Sequence, residues 1–453
     1  MQEWSERTHR QFSDLIGSRT GLVFPDNRGD LLRRGVASAA QSSGESNLAR
    51  YYTALQAAPT VSDVWDDLVG AITIGETYFF RNAGHFQALE EMILPEILER
   101  HGRDRRIRIW SAACSSGEEP YSIAMTLRKV HPDLSGWNIS ILGTDISIQS
   151  LQRARRGVYR EWSFRRTPSD IRQRYFAELE DGVVLSPSVR EMVRFSYLNQ
   201  KEDYYPTLDT GTHALDLIFC RNLSIYFGPE LISEIAGRFF ECLVPGGWLV
   251  VGASETNSEI YKRYDTVNLP GAIVYRKPLQ AALEAPSEPV RRTPATPTPP
   301  RLVPRPVTRL NPAPGPAVQS AGELCDAARK FAREGSLSLA IQKCDQAVER
   351  DPLYSSAYYV RALLHLDNGA REACREDLRR LLYLDPDFLL GHFALANLYE
   401  AESRTEDATR HRTRAARLAA KLGPEETVPG SSNLTVKTLI AMLQAMAQPE
   451  DDQ

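Results

Sequence analysis

The sequence predicts a doubly wound α/β domain of Rossmann-like type, carried between an N-terminal helical domain and a C-terminal all-α repeat array. Three observations carry that expectation. Residues 105–278 alternate strand-like and helix-like text, the pattern of a mostly parallel sheet with helices on both faces. The first strand, RIRIW, runs into SAACSSG and then Glu118-Glu119, a side-chain-poor loop that opens a helix. Far downstream, Asp351-Pro352 recurs as Asp385-Pro386, and small residues recur in the same 34-residue register.

In chain order, residues 1–85 read as helical text (QFSDLIG, YYTALQ, VSDVWDDLVGAIT). Residues 86–280 hold the α/β domain, with strands expected at RIRIW, NISILGTD, LDLIFCRN, GGWLVVGASE and AIVYRKP. Short β-like pieces at about 157–198 (RYF, VVLSP, VRFSYLN) interrupt the alternation and suggest a small antiparallel insert. Eleven of the 28 prolines fall within 281–320, so that stretch reads as a semi-extended linker without a core. Residues 321–420 then divide into about three units (322–354, 355–388, 389–420) that resemble tetratricopeptide repeats. Small residues at Ala328, Ala362 and Ala396, and at Ala340, Cys374 and Ala408, let paired helices approach closely. The 421–453 tail carries an apolar stretch, 434–447, expected to cap the last repeat.

Composition limits the partners. Against 58 acidic residues there are 54 basic ones, a net of −4, which gives no support for nucleic acid or an acidic membrane surface. No apolar run approaches membrane-spanning length, and the N-terminal text lacks an apolar signal region. The six cysteines are widely spaced without a CxxC pair, which fits reduced thiols. The expectation is a cytoplasmic protein without direct membrane insertion.

Ligands of open α/β sheets bind at the carboxyl ends of the strands. Here those ends carry Glu118-Glu119, Asp145, Asn199-Gln200 and Arg221-Asn222. GxGxxG is absent, which argues against a dinucleotide, and the P-loop lysine is absent too. An acid at the end of the second strand suits ribose hydroxyls, and the other acids suit a cationic group. S-adenosylmethionine joins a ribose, an adenine and a cationic end, so it is the expected cofactor.

Four motifs together, TYFFRNAGHF (77–86), WSAACSSGEEPYSIA, GTDIS and IFCRNLSIYF (218–227), resemble the chemotaxis receptor methyltransferases, the CheR type. The resemblance spans residues 10–278, and the whole chain resembles the subgroup with a C-terminal tetratricopeptide module. It implies methyl transfer from S-adenosylmethionine to glutamate side chains on chemoreceptor cytoplasmic helices, giving glutamyl methyl esters and S-adenosylhomocysteine. It assigns Thr77, Arg81, Glu119, Asp145, Asn199, Gln200, Arg221 and Asn222 to the cofactor, and Arg81 and Tyr226 to the acceptor carboxylate. Gly75 stands where the family usually carries a cofactor-touching asparagine, so that contact is expected to be lost or made by the backbone. Glu118 or Glu119 is expected to start the helix while the other meets the cofactor, with Glu119 favoured for the cofactor.

The resemblance also has departures. The N-terminal arginine stripe thins to Arg28, Arg33 and Arg34. The compact insert, DGVVLSP, lacks the longer glycine-containing loop that some members use to grip a receptor tail, so no such tether is expected. A further protein partner is expected at the repeats. Two other readings compete: an adaptor that binds S-adenosylmethionine only as a sensor, and a methyltransferase for a different carboxylate. Retention of Arg81 and Tyr226 favours catalysis.

Overall fold

The computed structural model describes residues 4–25, 28–59, 62–73, 75–180, 182–279 and 319–446. Nearly all of the proline-rich linker lies outside them. Four helices lead the chain: α1 (Glu6–Thr20), α2 (Gly29–Ser42), α3 (Leu48–Ala57) and α4 (Asp63–Ile72). Helix α1 starts where the Ser5 side chain accepts from the Thr8 amide, which satisfies an otherwise orphaned donor. A fifth, α5 (Ala83–Ala88), runs through a π-turn into α6 (Leu94–Arg100).

The α/β domain follows as β1 (Arg106–Ala112), α7 (Glu118–Val130), β2 (Asn138–Asp145) and α8 (Ile148–Arg156). Then come β3 (Val158–Tyr159), α9 (Ser169–Tyr175), β4 (Phe176–Leu179), β5 (Gly182–Leu185), α10 (Pro187–Arg190) and β6 (Val193–Tyr197). It closes with β7 (Leu215–Cys220), α11 (Pro229–Cys242), β8 (Leu243–Val251), β9 (Asp265–Leu269) and β10 (Ala272–Arg276).

The main sheet has the order β6-β2-β1-β7-β8-β10-β9. Its first five strands are parallel, and β10 pairs antiparallel with β8 on one side and with the edge strand β9 on the other. Every residue of β1 is buried, as a central strand covered by helices on both faces requires. The chain moves outward from β1 through β2 to β6, then returns to β7 on the other side of β1. The switch point therefore lies between β1 and β7.

Two elements differ from the sequence reading. VRFSYLN is not part of the small insert, because β6 pairs in parallel with β2 and forms the edge of the main sheet. The separate sheet contains only β3, β5 and β4. β9 was also missed: DTVNL is mostly exposed or half-exposed and lacks the apolar run that marks a central strand.

The C-terminal region forms three helix pairs: α12 (Ala321–Arg333) with α13 (Leu337–Arg350), α14 (Ser355–Asp367) with α15 (Arg371–Leu384), and α16 (Leu389–Ala401) with α17 (Thr405–Ala419). First helices begin 34 residues apart, and second helices do likewise. Ala328, Ala362, Ala396, Ala340 and Cys374 are essentially inaccessible, and Ala408 is buried, so the small residues sit where the helices press together. The last helix, α18 (Val436–Met446), packs on α17 and also on α8 and β6, so it bridges the repeats and the sheet.

The repeat helices meet the sheet at the amino ends of its strands. Asp367, at the end of α14, pairs with Arg108 of β1 and with His213 Nε2 at 2.7 Å. Its carbonyl accepts from Asn138 Nδ2 of β2 at 2.7 Å. The opposite end of the sheet is left to the N-terminal helices.

Candidate active site

The loop after β1 is held in an unusual backbone. Ala113 and Ser115 adopt φ of 58° and 50°, and Gly117 has φ of 91°. Left-handed alanine and serine are uncommon and concentrate at functional sites. Phe80, Asn82 and Asn222 are also left-handed, so five such non-glycine positions lie in the three motif loops around the strand tips, while Arg105, Ala214 and Ser403 lie elsewhere.

Glu119 and Arg221 span the switch point. Glu119 Oε2 accepts from Arg221 Nε at 2.8 Å, and its Oε1 accepts from the Ser111 hydroxyl at 2.7 Å. Both side chains are almost fully buried. Arg221 also donates through Nη1 to the Arg81 carbonyl and lies 3.4 Å from His85 Nδ1. Burial and Arg221 push the His85 imidazolium down to about 4, so this histidine is neutral near pH 7. One arginine thus fastens the TYFFR loop to the first helix of the sheet.

Glu118 turns the other way. Its carboxylate accepts from Ser116 Oγ at 2.8 Å and from Ser163 Oγ, beside the insert, at 2.9 Å. Phe79 fixes the same junction by packing against Tyr159, Phe164 and Phe176. Burial raises the Glu118 carboxyl above its ordinary range.

At the tip of β2, Asp145 accepts from the Ser115 amide at 2.8 Å and the Ser147 amide at 2.9 Å. Burial raises it despite those bonds. Gly75 lies beside this loop; a Cβ there would stand 3.6 Å from Ser115 Oγ. Thr77 is partly buried in the following turn.

The Asn199-Gln200 pair divides. Asn199 Nδ2 donates to the Arg19 carbonyl at 3.1 Å, and its Oδ1 accepts from the Lys201 amide, so it ties the end of α1 to the tip of β6. Gln200 is 4% exposed, yet neither its amide oxygen nor its amide nitrogen has a partner. A buried amide without a protein partner keeps donor and acceptor capacity that a ligand or a water can fill.

Of the two residues expected to meet the acceptor, Arg81 donates through Nη1 to the Glu76 carbonyl, and its guanidinium lies 5.7 Å from the Tyr78 ring centre. Tyr226 is buried. Its carbonyl accepts from the Val23 amide at 2.8 Å, and Arg28 lies over its ring at 5.6 Å. Arg28 also donates to the Ile225 carbonyl. Arg28 therefore braces the IYF turn from the N-terminal helices.

Sequence reasoning passed over Glu255. Its carboxylate accepts from the amides of Asn222 (2.6 Å), Ser224 (2.7 Å) and Gly252 (2.7 Å) and from Ser224 Oγ (2.8 Å). It holds the turn that carries Asn222 and leads to Tyr226. The signal was an acid just past the end of β8, in GASETN, a place analogous to Asp145 after β2. Asp66 of α4 was missed too: it accepts from the Ile148 and Gln149 amides and so caps α8 from another domain. All six cysteines are free and buried, and burial raises Cys114 and Cys220, which leaves them as packing residues.

The donor set suits S-adenosylmethionine. Buried carboxylates raised by desolvation gain from a cation, and the open Gln200 amide can meet a base edge or a ribose. Fold and site together define a methyltransferase that uses S-adenosylmethionine. A family model described as CheR methyltransferase, SAM binding domain, matches residues 75–273. The chain is 33% identical over 288 residues to a chemotaxis protein methyltransferase of Vibrio parahaemolyticus, covering 60% of this chain and 97% of that one. It is 30% identical over 430 residues to a probable biofilm formation methyltransferase, WspC, of Pseudomonas aeruginosa, covering 91% of this chain and 99% of that one. The chain belongs to the CheR family of chemotaxis protein methyltransferases. No helix among the described residues is long and apolar enough to cross a membrane.

Proposed function

We propose that the protein is a protein-glutamate O-methyltransferase that esterifies glutamate side chains on the cytoplasmic helices of a chemoreceptor. The observation that carries this reading is the buried Glu119–Arg221 pair across the switch point between β1 and β7, with Arg221 bound to the Arg81 carbonyl, in a chain of this family. When bound, S-adenosylmethionine supplies an electrophilic methyl group on a positively charged sulfur. In this reading Glu119, Asp145, Gln200 and Asn222 hold the donor, while Thr77 and the Gly75 backbone line its entrance.

A glutamate acceptor has an unperturbed pKa near about 4.3, so it is ionised at neutral pH and no side chain need remove a proton. The work left to the chain is alignment and exclusion of water. Arg81 and the Tyr226 hydroxyl orient the acceptor carboxylate. Arg81 is already engaged with Glu76 and Tyr78, so it holds the carboxylate without over-stabilising the ground state. Arg221 and Glu255 act through backbone, fixing the loops of Arg81 and Asn222. The repeat module would serve recruitment of a further protein, and the enzyme would work in the cytoplasm.

The likeness to WspC over nearly the whole chain favours, as a second reading of the output, a pathway of biofilm formation over motility. Deletion strains scored for both swimming and surface growth separate the two. For the chemistry, full-length protein is incubated with methyl-labelled S-adenosylmethionine and receptor cytoplasmic fragments. Base-labile label on the receptor is expected. Cofactor binding without any transfer to receptor fragments would refute the enzymatic reading for those substrates.

A further inference from the structure

A second polar cavity lies where the repeats meet the amino ends of the strands, at the opposite end of the sheet from the methyl-transfer site. It holds about 180 Å³. Four guanidinium groups line it: Arg106 and Arg108 from β1, Arg194 from β6, and Arg371 from the start of α15. Two carboxylates face them, Asp209 and Asp367.

Both carboxylates are already engaged. Asp367 pairs with Arg108 and His213, while Asp209 accepts from the Tyr359 hydroxyl at 2.9 Å and lies 3.9 Å from Arg329. Burial and the neighbouring arginines hold His213 toward its neutral form. The Arg106 and Arg194 side chains have no hydrogen bond or ion pair among the described residues, and Arg371 has none either. Arg106 is 9% exposed. Arg194 sits against Gly211, whose carbonyl Arg108 already occupies. Burial and the guanidiniums of Arg108 and Arg155 push Arg194 down to about 10.

The carboxylates near Arg106 (Asp367, Asp216 and Asp104) and near Arg194 (Asp367 and Glu400) are each bound to another arginine or histidine, so they offset these like charges only in part, which is costly. A dianion with several acceptor oxygens matches a converging set of arginine forks better than a single carboxylate does. We propose that this cavity binds a phosphate group, free or carried by a small metabolite, with Arg106 and Arg194 as ligands and Arg371 closing over it from the repeat side. Tyr359 and Phe393 of the repeat wall offer flat surfaces for the organic part of such a metabolite. Because the two walls belong to different parts of the chain, the anion clamps the repeats onto the sheet.

The test is equilibrium dialysis of the full chain with labelled inorganic phosphate and, separately, with AMP, joined to thermal unfolding. Saturable binding is expected, with a rise in unfolding temperature as ligand is added. Tighter binding of AMP assigns the site to a metabolite, and equal binding assigns it to free phosphate. Arg194→Gln weakens binding by about tenfold or more. The exposed Arg371→Gln does so as well, and it carries the test if the first variant fails to fold. Affinity for S-adenosylmethionine stays the same in both variants. Absence of saturable binding for both probes, or undiminished binding in both variants, overturns the proposal.

Discussion

Arg221 shows how much one side chain organises at the strand tips. Its guanidinium joins Glu119 of α7 to the Arg81 carbonyl, in a setting almost without solvent. Removing one partner of a buried pair leaves the other charge uncompensated, which typically costs about 3–5 kcal/mol. Arg221→Met should lower stability by about that amount and weaken cofactor binding, as read by urea unfolding and calorimetry. Arg221→Lys restores the charge but not the fork, so it should recover only part of the loss. Asp145 gives a second expectation, through protonation. Burial raises its carboxyl in the free protein, and ribose hydroxyls donating to it from a bound donor would favour the ionised form. Cofactor binding should therefore release a proton at pH values below that raised midpoint. Affinity should rise with pH through that range and then level off. Calorimetry in two buffers of different ionisation enthalpy measures the proton, and Asp145→Asn should abolish its share.

At the scale of elements, the turns of the proposed active site are braced from elsewhere in the chain. The segment from Asn222 to Tyr226 is held by Glu255 after β8, by Val23 after α1, and by Arg28. Glu255→Gln would turn an amide NH2 toward backbone donors, so at least one of the three amides loses its acceptor. The cost to stability is about 1–3 kcal/mol. Turnover should suffer more, by up to about 10²-fold, because a small displacement of the turn misaligns the acceptor groups. Steady-state kinetics should show the loss in kcat more than in KM for the cofactor. This bracing explains what could be read from the sequence and what could not. RIRIW, the small-residue loop and Asp145 are local signals, since the strand, the strained turn and the acid follow one another in the chain. Glu255, Asp66 and Arg28 act on backbone remote in sequence, and no local pattern marks an acid that caps another domain's helix. β6 was assigned to the insert for the same reason: its pairing with β2 is set by topology, and its own five residues match an edge strand of either sheet.

Across the whole molecule, the two ends of the sheet carry different tasks. N-terminal helices roof the carboxyl ends, where Asn199 and Lys201 reach back to the end of α1. Repeat helices cover the amino ends, and α18 runs along β6 and α8. That arrangement leaves the repeats unable to obstruct the methyl donor directly, so their influence on transfer must pass through stability or through what they recruit. Asp367 is the centre of the contact, shared by Arg108, by His213 and, through its carbonyl, by Asn138. Burial pushes its carboxyl up, but Arg108 and the bond from His213 outweigh that and hold it far below the usual range. Asp367→Ala should lower stability by about 3–5 kcal/mol, since it leaves the buried Arg108 without its counter-charge. The same group sets a pH limit: a depressed carboxyl contributes stability that is complete above the ordinary aspartate range and fades as pH falls toward the folded value. Wild type should therefore lose, on acidification, an increment of stability that Asp367→Ala lacks. Affinity for S-adenosylmethionine should be unaltered near neutral pH, because the cofactor crevice lies at the other end of the strands. Unfolding midpoints measured across pH, beside cofactor titrations of both proteins, test the two halves of this expectation. A matching fall in cofactor affinity would mean that the repeats reach the donor site through the sheet itself.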